Sequence, residues 1–165
     1  MTQRMIIFSL IASAGILADQ ATKISIDRSM QLYRSIPVID GLFSITYVRN
    51  RGAAFSFLSD ASWRLPFFIA VSLVAAVVIL VALKKLRDDQ RLAQAALAMI
   101  FSGAVGNLID RVRLGEVIDF LDVYWKAHHW PAFNVADSLI CIGVALMALD
   151  IFREERRQKQ QLVQD

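Results

Sequence analysis

The sequence predicts an all-α membrane protein: four transmembrane helices, with a small β-hairpin or β-sheet element on the outer side between the first and second. Three observations carry that reading. Hydrophobic residues make up 56% of the 165-residue chain and the mean hydropathy is +0.49, whereas soluble domains stay at roughly 45–50% apolar residues. Leu65 to Leu83 is an uninterrupted apolar run, long enough to cross a hydrocarbon core of about 30 Å. Ile36-Pro37-Val38-Ile39 and Leu42-Phe43-Ser44-Ile45-Thr46-Tyr47-Val48 flank Asp40-Gly41, a β-branched and aromatic pattern around a hairpin turn signal. The chain reads as one integral membrane domain over residues 1–165.

The elements follow in order. The first span, about 5–24, begins after Arg4 and is apolar and small through Ala18. Its basic start resembles a secretory signal peptide, but no small-x-small cleavage site precedes a soluble domain and further spans follow, so a retained helix is expected. An outer segment over 25–64 holds the hairpin. Two strands alone are marginal in water, so the hairpin is expected to rest on the membrane surface or against helix ends, with Phe43, Tyr47, Phe55 and Phe57 as apolar contacts. The second span, 65–83, carries Pro66 near its start, where proline is tolerated. A charged turn, Lys84 to Arg91, leads into the third span at 92–109. There Ala98, Ser102 and Gly106 recur every four residues, a small-residue ladder that admits a close helix neighbour. The fourth span is expected at 135–152, after an outer segment over 110–134, and a charged tail at 153–165 carries no motif.

The net charge of +3 and pI near 9.3 do not point to nucleic acid, because no basic cluster is interleaved with aromatics. The basic residues flank the membrane helices instead. Nine of the 18 lie in Arg4, the Lys84-to-Arg91 turn and the tail, and nine on the other side, so the raw count is a tie. The first group is packed into shorter segments beside the helix ends, where the positive-inside effect acts. Both termini are therefore expected in the cytoplasm, with Tyr124, Trp125 and Trp130 in an outer aromatic belt. The single cysteine, Cys141, sits in an apolar run and is expected to be a buried, inert thiol.

Chemistry concentrates between Gly103 and Asp137. Asp119 and Asp137 both fall where a span meets the outer boundary, and ionisable groups kept there are functional candidates. If they converge, two partly desolvated carboxyls hold one proton between them, which suits metal-free peptide hydrolysis. Asn134 with Asp137 three residues on equally fits a capping box at a helix start. Asp19 and Lys23 share a helical face, as a salt bridge or as part of a binding site. Asp110 beside Arg111, and Asp122, read as local ion pairs or solvated loop charges. Arg49 to Ser56 combines an amide, Gly52 and small residues, either as an ordinary turn or as a loop that a peptide backbone can approach. Adjacent His128 and His129 lack metal-ligand spacing, and no nucleophile elbow or phosphate loop is present. No metal or cofactor is expected. A small proton-linked membrane carrier using boundary aspartates is the competing reading, although the chain is short for the inverted repeats of many transporters.

Five motifs in order then settle on one family. Asp19-Gln20-x-x-Lys23, Asn50-x-Gly52-Ala53-Ala54-Phe55, Gly106-Asn107-Leu108-Ile109-Asp110-Arg111, Val117-x-Asp119-Phe120 and Phe133-Asn134-x-Ala136-Asp137 closely resemble the motifs of bacterial lipoprotein signal peptidase, or signal peptidase II. The resemblance implies an aspartic endopeptidase of the bacterial cytoplasmic (inner) membrane, with its active site near the periplasmic face; a monomer is expected. The implied substrate is a diacylglyceryl-modified prolipoprotein, cut just before the lipid-bearing cysteine, in contact with membrane lipid. It implies Asp119 and Asp137 as the catalytic dyad, and Asn50, Gly52, Asn107, Arg111 and Asn134 as the polar shell that holds substrate backbone or orients the dyad. Asp19, Lys23 and Asp110 are implied as supporting residues. The small-residue face of the third helix would then offer a groove for the signal helix and acyl chains.

Overall fold

The computed structural model describes residues 2–52 and 61–162. In chain order the elements are α1 (Gln3–Ser29), β1 (Ser35–Ile39), β2 (Phe43–Asn50), α2 (Arg64–Lys85), α3 (Arg91–Leu114), β3 (Val117–Trp125), β4 (His128–His129) and α4 (Val135–Leu162). Among the described residues, four helices are long and apolar enough to cross a membrane. Each runs past its apolar stretch at one or both ends, because polar residues with good helix propensity continue the turn where water satisfies them. Val71, Val74, Val78 and Val81 of α2 remain exposed, a face whose solvent is lipid rather than a protein core.

Small residues decide how closely α3 is approached. A Cβ on Gly15 of α1 would lie 2.6 Å from Ser102 Oγ, and one on Gly106 would strike the Asp19 carboxylate. Gly103, on the adjoining face, meets the Ala136 carbonyl of α4 in the same way. Ala98 and Ser102 have no exposed surface. The ladder therefore seats α1 instead of leaving the groove for substrate that the resemblance suggested. Further along, Phe8, Ala12, Ile79, Leu83, Leu97 and Ala98 form the apolar core joining α1, α2 and α3.

The hairpin forms at Asp40-Gly41, where Gly41 takes φ 76°, a left-handed conformation that favours glycine. It is one half of a larger sheet. The strand order is β1-β2-β3-β4, with β2 antiparallel to β3 through pairs such as Val48 with Asp119 and Asn50 with Val117. The segment 110–134, expected as an outer loop, thus supplies two strands. Gly115, at φ 74°, ends α3 with its N–H on the Arg111 carbonyl at 3.0 Å and turns the chain into β3. Tyr47, Ile118 and Phe120 bury against Ile26, Met30, Leu114 and Val135, so the sheet rests on helix ends. The Tyr47 hydroxyl and the Arg49 guanidinium both hold Asp27 of α1. Phe43 is half-buried, while Phe55 and Phe57 lie outside the described residues.

Candidate active site

Asp119 sits in β3 and Asp137 in the first turn of α4, and both line one cavity of about 530 Å³ together with Asn50, Gly52, Asn107 and Arg111. Asp119 is 2% exposed, whereas Asp137 is half-buried at the cavity wall. Asn134 is fully buried behind them.

Three asparagines hold the two carboxyls, and each amide is oriented by a group that can only donate. The Gly52 N–H donates to Asn50 Oδ1 at 2.9 Å, which leaves Asn50 Nδ2 to donate to Asp119 Oδ2 at 3.0 Å. The Asp137 N–H donates to Asn134 Oδ1 at 2.9 Å, so Asn134 Nδ2 reaches Asp119 Oδ1 at 2.7 Å. Lys23 Nζ donates to Asn107 Oδ1 at 2.9 Å, and Asn107 Nδ2 donates to Asp137 Oδ1 at 2.8 Å. The Asn134 N–H also reaches Asp137 Oδ2 at 3.3 Å. The capping box and the convergence of the aspartates, alternatives in the sequence, are therefore both present in the same residues.

Burial pushes the Asp119 carboxyl up to about 7, and the charge of Asp137 adds to the rise. Hydrogen bonds from Asn50 and Asn134 and the charge of Lys23 act against it, but desolvation prevails. A carboxyl that keeps its proton near neutral pH beside a second carboxyl can serve as acid while its partner serves as base. Arg111 donates to the Gly52 carbonyl at 3.4 Å and lies 4.9 Å over the Phe68 ring, tying α3 to the loop after β2.

Behind the cavity, Lys23 is 1% exposed and Asp19 and Asp110 are 0% and 1% exposed. Lys23 Nζ is 3.0 Å from each carboxylate. Asp110 thus pairs across helices with Lys23, correcting the expectation of a local pair with Arg111. Asp122 does form a local pair, with His129 Nδ1 at 2.9 Å.

The sequence profile described as Signal peptidase (SPase) II matches residues 11–153. The chain belongs to the signal peptidase II family. It is 74% identical over 152 residues to the lipoprotein signal peptidase of Geobacter sulfurreducens, covering 92% of this chain and 95% of that protein. To the lipoprotein signal peptidase of Haemophilus influenzae (strain PittGG) it is 41% identical over 154 residues, covering 93% and 90%. A solved bacterial membrane enzyme, determined by the in meso method at 2.3 Å resolution, shares 34% identity and a TM-score of 0.81 over 90% of this chain and 88% of that one.

Within this signal peptidase II fold, Gln20, Ser138 and Cys141 lie near the candidate site, and the sequence alone assigns none of them a role there. Gln20 Nε2 lies 3.1 Å from Asp19, 3.2 Å from Asp110 and 3.2 Å from the Gly106 carbonyl. Ser138 and Cys141 line the cavity. Cys141 is exposed rather than buried, because it lies one helical turn beyond Asp137 on the same face. That spacing of four was the available signal.

Proposed function

We propose that Asp119 and Asp137 carry out the hydrolysis and that the cavity they line receives the scissile segment. As a member of the signal peptidase II family, the chain is an aspartic endopeptidase of the membrane. It removes the signal peptide from diacylglyceryl-modified prolipoproteins by cutting before the lipid-bearing cysteine. The family assignment does not favour the proton-linked carrier. The observation that supports the dyad is its asymmetry around one cavity: a buried Asp119 whose carboxyl is raised to about 7 beside a half-exposed Asp137. The pair holds one proton. The ionised member takes a proton from water, whose oxygen attacks the scissile carbonyl, while the protonated member donates to the carbonyl oxygen; the member that took the water's proton then passes it to the leaving nitrogen, and the hydroxyl proton returns to its partner as the carbonyl reforms and the C–N bond breaks.

Asn50, Asn107 and Asn134 orient the carboxyls, while Gly52 and Arg111 border the peptide path. Peptide bound in the cavity replaces water beside the dyad and strengthens each of these polar contacts. The protein is a multi-pass inner-membrane protein; its termini lie in the cytoplasm and its active site near the periplasmic face, in keeping with the compact basic segments beside Arg4, Lys84 and the tail. One chain supplies both aspartates and the asparagines that hold them, so the site needs no second copy, which supports a monomer as the working form. The test is a cell lacking the protein: diacylated prolipoprotein should accumulate uncut. Unchanged processing would sink the assignment, and a proton-dependent flux would favour the carrier instead.

A further inference from the structure

The cluster around Lys23 reaches both halves of the dyad through the backbone. Asp19 Oδ1 accepts the N–H of Ala136 at 2.9 Å, and Ala136 immediately precedes Asp137. Asp110 Oδ2 accepts the N–H of Ile118 at 3.1 Å, and Ile118 immediately precedes Asp119. Lys23 Nζ lies 3.0 Å from both carboxylates and 2.9 Å from Asn107 Oδ1, so its three hydrogens have three partners. Local chemistry does not account for these contacts. Ala136 is in the first turn of α4, where the N-cap side chain could have served, but Asn134 Oδ1 is taken by the Asp137 N–H. The orphan donor is met from another helix.

We propose that Asp19, Lys23 and Asp110 are positioning residues for the reaction: one buried ammonium joins the two carboxylates that hold the peptide N–H preceding each catalytic aspartate, and thereby sets the spacing of the dyad. The proposal rests on the reading of Asp119 and Asp137 as the catalytic pair. Stability alone is a poor reason for such a cluster, because a buried ion pair is often no better than well-packed apolar residues of the same volume. Geometry is the better reason. Two carboxyls that share a proton and a water work only within a narrow separation, and here that separation is set from α1 and α3, neither of which carries an aspartate of the dyad.

The two carboxylates divide their work differently, and this makes the proposal testable. Asp19 uses both oxygens, Oδ1 for the Ala136 N–H and Oδ2 for Lys23. Asp110 uses Oδ2 for both Lys23 and the Ile118 N–H. Asparagine has one carbonyl oxygen. At position 110 it can keep both contacts, and at position 19 it must give up one.

The experiment measures kcat and KM for Asp19→Asn and Asp110→Asn on diacylated prolipoprotein in mixed micelles, normalised to folded protein by thermal unfolding. Asp19→Asn should lower kcat about 100-fold and Asp110→Asn about tenfold or less, as expected when reacting groups are misplaced without being removed. KM should hold in both, because the cavity wall is unchanged. Parental kcat in both, equal losses in both, losses confined to KM, or losses that vanish on normalisation would each overturn the proposal. If Asp19→Asn does not fold, Asp110→Ala, which removes both the Lys23 and the Ile118 contact, decides: a lowered kcat at constant KM supports the positioning role and parental kcat overturns it. Asp119→Asn and Asp137→Asn run alongside separate the two layers. Cleavage by either removes the dyad reading itself, whereas parental kcat in the Asp19 and Asp110 variants with both dyad variants inactive removes only the positioning role.

Discussion

Lys23 donates all three ammonium hydrogens to protein oxygens at 1% exposure, whereas Asp137, held through the same Asn107, opens onto the cavity. The two clusters share an amide and the same kinds of charged group. They differ in saturation. Around Lys23 the charges meet one another and leave no room for water or peptide, so the cluster can only hold a shape. Around Asp119 and Asp137 each carboxyl oxygen accepts one hydrogen bond from an asparagine, which leaves it further acceptor capacity, and both residues line the cavity, where a water and a peptide carbonyl can lie. Charge in a membrane protein marks chemistry where it is incompletely paired and framework where it is closed.

The largest effect should come from the open cluster. Asp119→Asn and Asp137→Asn should each lower cleavage at least about 1,000-fold, because the shape is kept and the exchangeable proton is lost. The thermal transition in detergent should stay in place. Appreciable cleavage by either variant would mean that one carboxyl suffices.

The closed cluster should break in the opposite sense. Gly106→Ala puts a methyl group onto the Asp19 carboxylate, and forcing atoms into a packed interior costs about 1–3 kcal/mol. Unfolding in detergent should shift downward, by more than in either dyad variant. An unchanged transition would show that α1 can retreat freely and that the contact matters little.

At the rim the loss is expected in function rather than in folding. Asn50→Ala leaves the Gly52 N–H and Asp119 Oδ2 without a partner, a penalty of about 1–3 kcal/mol per buried group. It should divide between binding and turnover, as should the obstruction by Gly52→Val. Variants of both positions that bind and cleave like the parent would reduce the loop to an ordinary turn.

The subtlest prediction sharpens the contrast through pH. The Asp119 carboxyl is raised to about 7, against an ordinary value near 3.9. Between about pH 4 and 7 the folded protein keeps a proton that the unfolded chain has released, so this group's contribution to stability falls as pH rises. The contribution is present in full below about 4 and lost once pH passes about 7. Asp119→Asn should remove that slope and gain on the parent at pH 8, as read from thermal unfolding against pH. Identical slopes would place the raised carboxyl elsewhere.

The helices were legible because an apolar run of membrane length has few alternatives, and the hairpin because Asp40-Gly41 supplied the turn. The second half of the sheet was hidden. Val117 to Trp125 is rich in β-branched and aromatic residues, but Asp119 and Asp122 interrupt it, and a strand across a long sequence gap leaves no local signature. The proposed dyad was singled out from ordered motifs, and the fold brings both aspartates to one cavity. Its support was less legible: Lys23 and Asp110 meet only when α1 and α3 pack, and the spacing that paired Asp19 with Lys23 could not reveal the second carboxylate. The small-residue ladder announced a close neighbour without saying that the neighbour is α1.

The pairing of β2 with β3 fixes an order of assembly. Phe43 to Asn50 finds its partner in Val117 to Val123, which emerges from synthesis only after α2 and α3. Until then β1 and β2 form a two-stranded hairpin, which is marginal on its own, and closure across such a sequence separation is slow. Asn50 meets Asp119 only when both intervening spans are in place. A chain caught partway through insertion therefore carries no working protease, and proteolytic competence arrives together with the finished membrane topology.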